Sequence, residues 1–362
     1  MATRKTTAAR KRGTKPGATG GTKRRRRPWW IDLPTEELLD VRLCDLELRL
    51  EGTALQRRID RLYAELDRAG LRFRPYVYLS VDWFTPEGSS GFAVPFYLAH
   101  PRLVQLEHRQ MFEAEGSTTD WCMKLLRHEA AHAFDNAYRL HRKAEWRRIF
   151  GNYSAPYRSD YEVSPTSRNY VQHLGAWYAQ SHPAEDYAET FSVWMTPNAR
   201  WEETYAEWPA IKKLQALDAL LHEVGSGAPE VRTRDRVESL PNLRYTLREH
   251  YRRRRAAYGV QMPWRHDNEL RVLFGAQEEV RHGPRAATFL QDERGALRAK
   301  VSALTGQYRY VVDQALDAMI QRCRKLDLRL AKSKPQARLG AAVLTTMVTL
   351  ALARGRKPRF RR

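Results

Sequence analysis

Between Leu125 and Phe134 the chain reads Leu-Leu-Arg-His-Glu-Ala-Ala-His-Ala-Phe, a His-Glu-x-x-His string uninterrupted by Pro or Gly. Residues four apart lie one above the other on a helix face, so this segment must be helical for its polar groups to converge. His128 and His132 can then aim two imidazole nitrogens at one cation. Glu129 emerges beside them, close enough to take a proton from a water at that cation. Zinc suits two nitrogens and a carboxylate oxygen and leaves a fourth position open. An ordinary helix with two half-buried histidines would carry the same string, but a shuffled chain of this composition gives it only about 0.02 times.

A third ligand is needed. Position 138 is Tyr and position 135 is Asp, so no third histidine follows at the spacing one class of such sites uses. Downstream, His182-Pro183-Ala184-Glu185-Asp186-Tyr187-Ala188-Glu189 places two carboxylates four apart on a second predicted helix, from Pro183 to about Met195. Pro is favoured in a first turn. A first turn also attracts acids through the helix dipole, which accounts for Glu185 and Asp186 but not for Glu189. Glu185 and Glu189 are both metal-site candidates, and spacing alone leaves open which is the ligand.

The run Gly91-Phe92-Ala93-Val94-Pro95-Phe96-Tyr97-Leu98-Ala99-His100-Pro101, the His-Glu-x-x-His, Trp177-Tyr178-Ala179-Gln180 and the Glu185–Trp194 segment together resemble bacterial zinc-binding metallopeptidases. These are similar to the thermolysin-like and lethal-factor-like gluzincins, and the resemblance covers roughly residues 70–220. It implies Zn2+ held by His128, His132 and Glu185, with Glu189 one turn on bonding a ligand histidine and Glu129 as general base. The implied substrate is a peptide or protein. A tetrahedral oxyanion needs a further donor, for which Tyr170, His173 and Tyr178 of the intervening loop are candidates.

The rest of the chain frames that centre. The expected fold is α+β: a gluzincin-like domain with a small sheet over the active-site helix, followed by a mainly helical C-terminal region. Apolar residues recur at helical spacing from Leu33 to Leu71, and Gly70 closes that part. Two strand-like runs, 76–81 and 92–98, flank the turn-rich Pro86–Gly91 and read as a hairpin, its second run able to pair with an extended peptide. The motif helix is expected from Ser117–Asp120 to about His141. Residues 150–182, rich in Tyr, Ser, Pro and Asn, read as a long loop of the kind that carries function. Trp121 is expected in the core, Cys122 as a buried thiol, and Arg252–Arg255 on a solvated helix face.

Domains are expected at 1–28 (a disordered basic tail), 29–225 (the metallopeptidase-like domain), 226–327 (a helical region) and 328–362 (a basic segment with a short apolar helix). Charge supports this division. The net charge is +21, yet residues 1–28 carry 11 Lys/Arg and residues 328–362 carry 10, with no acid in either, which leaves 42 basic against 42 acidic residues between them. A basic-groove nucleic-acid enzyme would spread its charge through the body. The tails suit non-specific contact with nucleic acid or another polyanion. They motivate an alternative function, a nucleic-acid-associated binding protein whose zinc site is structural or vestigial.

Only Cys44, Cys122 and Cys323 are present, without Cys-x-x-Cys, which argues against a disulfide framework. The basic N-terminus lacks the apolar stretch of a secretory signal, and the cytoplasm is the expected compartment. The longest apolar run, Leu339 to Ala353, falls short of the ~20 residues that span a bilayer. A buried or interfacial helix is expected there, not a transmembrane anchor.

Overall fold

The computed structural model describes residues 27–354, apart from 158–160, 162, 176, 259–263, 265, 277–279, 281 and 282. The expected disordered tail up to residue 26, and the basic residues from 355 on, lie outside the described residues.

After a short helix over Thr35–Leu39 and a helical turn over Leu43–Leu46, the polypeptide builds helix α1 (Ala54–Arg68), capped by the Thr53 hydroxyl, which accepts from the Gln56 amide. Leu55, Ile59, Leu62 and Leu66 form its buried stripe, with Glu65 buried beside them. Two short strands follow, β1 (Tyr76–Ser80) and β2 (Gly91–Pro95), paired in parallel from Tyr76 opposite Gly91 to Ser80 opposite Pro95. A Cβ on Gly91 would stand 2.3 Å from the Tyr76 carbonyl oxygen, so only glycine fits where β2 begins.

The expected hairpin between these runs is corrected by that pairing. The turn-rich segment does reverse the chain, with the Ser89 amide donating to the Pro86 carbonyl, but its first arm is Phe84, whose carbonyl accepts from the Ala93 amide. One reversal lies before Phe84 and another after it, and two reversals restore the original direction. β2 is therefore flanked by β1 and by Phe84 and is buried throughout, so it is not free to take a peptide.

Helix α2 (Pro101–Met111) is capped by His100, and α3 (Thr119–Tyr138) carries the motif. Thr118 caps α3, and its core side is Cys122, Leu126, Ala130, Ala133, Phe134 and Ala137. Burial pushes the Cys122 thiol up to about 11, as expected of an inert core cysteine. The helix ends three residues before the expected position because Arg139 turns left-handed at φ 50°. The Asp135 carboxylate then accepts from both the backbone amide and the ring Nδ1 of His141.

Helix α4 (Pro183–Met195) packs along α3, buried on nearly every side. Its cap is His182, whose Nδ1 accepts from the Ala184 amide while Nε2–H donates to the Ala155 carbonyl. Helices α5 (Ile211–Val224) and α6 (Leu247–Tyr258) complete this part, whose core runs from Trp30 to Tyr251. The expected solvated face at Arg252–Arg255 is only partly formed. Arg252 and Arg253 are exposed on Glu249, but Arg254 turns inward to the buried Glu107 at 3.1 Å.

A second core gathers α7 (Ala286–Thr305), α8 (Arg309–Lys325) and α9 (Lys334–Arg354) with the short helix Asp267–Leu273. The molecule is mainly helical with a small parallel sheet and a second, antiparallel pair of two-residue strands (Gly275–Ala276 with Leu328–Arg329), which is consistent with an α+β fold. Among the described residues, no helix is long and apolar enough to cross a membrane.

Candidate metal centre

Helices α3 and α4 lie side by side, which brings the two halves of the sequence pattern face to face. His128 Nε2 lies 3.2 Å from His132 Nε2 and 3.0 Å from Glu185 Oε2, and His132 Nε2 lies 3.3 Å from the same oxygen. A tetrahedral cation with bonds of about 2.05 Å sets its ligand atoms about 3.35 Å apart. The three atoms form nearly that triangle. Two nitrogens and a carboxylate oxygen, with His128 and Glu185 buried and His132 half-buried, fit zinc in charge, chemistry and size.

Spacing leaves Glu189 open as a ligand, and the fold gives it another contact. Its Oε1 accepts from His128 Nδ1 at 3.1 Å, and its Oε2 accepts from the Leu174 amide at 2.8 Å. Holding the proton on Nδ1 leaves the His128 Nε2 lone pair directed at the cation position, as outer partners of metal-bound histidines commonly do. Tyr157 does the same for Glu185, donating to Oε1 at 3.0 Å and leaving Oε2 on the triangle. Its ring stacks on the capping His182 at 3.7 Å, so the carboxylate is anchored to the start of its own helix. Burial works against charge on Glu185, but His132 and His128 hold its carboxyl well below the usual carboxylate range.

The Glu129 carboxylate is held by Thr85, whose hydroxyl donates to Oε2 at 2.8 Å. Burial raises its carboxyl, and the imidazoles of His128 and His132 partly offset this. Both residues line a cleft of about 1340 Å3. The segment from Val81 to Thr85, Tyr157 and Tyr178 line it, together with Gln307 and Tyr308 of the second helical region.

Of the three oxyanion candidates, only Tyr178 lines this cleft, its ring 5.6 Å from that of His128. The structure does not bring Tyr170 or His173 there. Tyr170 lies under the Lys213 ammonium, 4.2 Å from its ring centroid. His173 exchanges hydrogen bonds with Lys124, each side chain on the other's carbonyl, and burial lowers its ring to about 4. Trp121, expected in the core, is half-buried on the cleft wall instead. Sequence reasoning missed Thr85 and Tyr157. Thr85 carries no local signal, and Tyr157 is one of many tyrosines in the long loop.

Residues 122–219 match the family described as "Putative zinc-binding metallo-peptidase". The match takes in α3 and α4 whole but for the first residues of α3, and so every member of the triangle. Comparison with curated proteins and with solved structures finds no match.

Proposed function

We propose that this chain is a zinc-dependent peptidase of gluzincin-like architecture, its catalytic unit within residues 29–225. The observation that carries the reading is the His128–His132–Glu185 triangle opening on a cleft beside a carboxylate that belongs to no ligand set. A structural zinc site closes with four protein ligands, whereas a catalytic one keeps a position open. Three ligands on a cleft wall favour hydrolysis over the alternative of a binding protein with a vestigial site.

Zinc bound there supplies Lewis acidity and lowers the pKa of water toward ~7. The chain's own residues do the rest. Glu129 accepts the proton of the attacking water and delivers it to the leaving amine, which is why a carboxyl raised by burial serves better than a fully solvated one. Thr85 fixes the Glu129 carboxylate through one oxygen and leaves the other for water. Tyr178 donates to the carbonyl oxygen as negative charge develops on it. An extended substrate lies along Val81–Thr85 in place of the occluded β2. The basic tails serve localisation to polyanions.

Metal content and casein hydrolysis, measured on wild type, Glu129→Gln and His128→Ala/His132→Ala, test this reading. Wild type and Glu129→Gln should each bind about one zinc and only wild type should cleave. Equal zinc in the double histidine variant would end the proposal.

A further inference from the structure

Helix α9 has two faces, and only one is covered. Ala337, Ala341, Leu344, Val348 and Leu352 pack into the second core. On the opposite side Leu339, Val343, Met347 and Leu350 are 69%, 54%, 49% and 40% exposed. Their spacing of four, four and three makes one continuous helical stripe. No charged residue occurs from Leu339 to Ala353, so the stripe lacks the Lys and Glu that normally solvate an outward helix face. Val272, 74% exposed, adds to it from the short helix alongside, where its neighbour Leu273 meets α9 at Gly340.

Charge brackets the stripe. Lys332 and Lys334 stand exposed before it. After it the sequence continues with Arg354, Arg356, Lys357, Arg359, Arg361 and Arg362, and residues 328–362 contain no acid at all. Two copies of this face would bring the like-charged flanks of both chains together, since Glu293 pairs with Arg338 but residues 328–362 supply no acid of their own. Nucleic acid would satisfy the charge but offers phosphate, not hydrocarbon, to four apolar side chains. An anionic bilayer surface satisfies both, because an apolar helix face sinks to the headgroup boundary while flanking Lys and Arg meet the anionic headgroups.

We infer that the outer face of α9 is a membrane-surface docking site for anionic phospholipid. The helix lies flat on the bilayer, inserted only to the depth of its exposed stripe, since its other face is held by α7 and α8. This inference is independent of the peptidase reading and stands or falls without it.

Sedimentation of the full chain with phosphatidylcholine vesicles, with and without phosphatidylglycerol, provides the test. Wild type should pellet with the phosphatidylglycerol vesicles and not with pure phosphatidylcholine. Val343→Glu/Met347→Glu should weaken that partitioning about tenfold or more, with an unchanged melting temperature because both sites face outward. Leu339→Glu alone should give a smaller loss in the same direction. Undiminished binding by a folded Val343→Glu/Met347→Glu chain would mean that charge alone is responsible, and would overturn the inference. Absence of vesicle binding by wild type would overturn it too, as would a wild-type dimer that these substitutions convert to monomer.

Discussion

The two cores of this molecule treat charge in opposite ways. The first, from Trp30 to Tyr251, takes ionisable groups inside and bonds them in pairs: Glu65 with Arg127, Glu107 with Arg254, Asp186 with Lys213, Asp135 with His141. The second is filled by Leu, Val, Ala, Met, Ile, Phe and Cys323, and apart from Asp313 with Arg294 and Arg298 it keeps its ion pairs toward the outside, as at Arg338–Glu293 and Arg322–Asp267. Burying a charge costs several kcal/mol unless a partner and further hydrogen bonds offset it. The first core accepts that cost where helices are held in one register so that His128, His132 and Glu185 meet. The second has no such point to organise, and its unusual feature is an uncovered apolar face.

The sharpest way to break this contrast is at the centre itself. Glu129→Gln keeps the shape and hydrogen-bonding size of the side chain but removes its basicity, so kcat for peptide hydrolysis should fall by about 10²–10⁴ with zinc content unchanged. Steady-state kinetics beside metal analysis would check it. Next in size is the scaffold. Arg127 sits one residue before His128 and makes a two-pronged bond to Glu65 of α1, at 2.8 and 3.0 Å. Glu65→Ala strands that guanidinium in the core and should cost about 3–5 kcal/mol in a denaturant titration.

Glu115, lining the cleft, tests the burial of a carboxyl that makes no ion pair among the described residues. Burial, with Asp82 and then Glu113 and Glu129 nearby and only Arg254 opposing, pushes it from 4.5 up to about 8. A raised carboxyl keeps its proton in the folded state, so its stability contribution is full below about pH 4.5 and is lost as pH rises toward 8. Glu115→Gln should remove this dependence and leave the variant more stable than wild type at pH 8 by up to about 4 kcal/mol. Melting curves between pH 5 and 8 would reveal a constant difference instead if Glu115 were ionised throughout.

The smallest effect belongs to the second core. Arg338 reaches Glu293 with two bonds, at 2.7 and 2.6 Å, but its side chain is half exposed. Arg338→Ala should change stability by less than about 1 kcal/mol, and by less again at high salt. A loss as large as that from Glu65→Ala would erase the distinction between the two regions.

Much of the centre was legible before the structure. The motif helix, its start among the capping residues Ser117–Asp120 and the Pro183 start of the second helix follow from side-chain chemistry acting over three or four residues. So did the two carboxylates on one face of α4, because a helix repeats every 3.6 residues wherever it forms. Less legible was anything set by a distant neighbour. The run 92–98 is equally apolar in a hairpin or a parallel pair, and only the extra reversal at Phe84 decided between them. Arg254 reads like its three neighbours until Glu107 is placed opposite it.

By itself, then, the sequence determined which atoms were on offer: two imidazoles one turn apart, a base between them, a pair of acids on a later helix, and neutral charge between two basic ends. Folding decided their allegiance. Glu185 meets the histidine nitrogens and Glu189 takes the far side of one ring because α4 packs along α3 in one register, and Thr85 and Tyr157 reach the same point from loops with no periodicity to announce them. Helical geometry is local and repeats, so it can be read from spacing. The choice of partner depends on which surfaces leave water together, and that is settled only when the whole core closes.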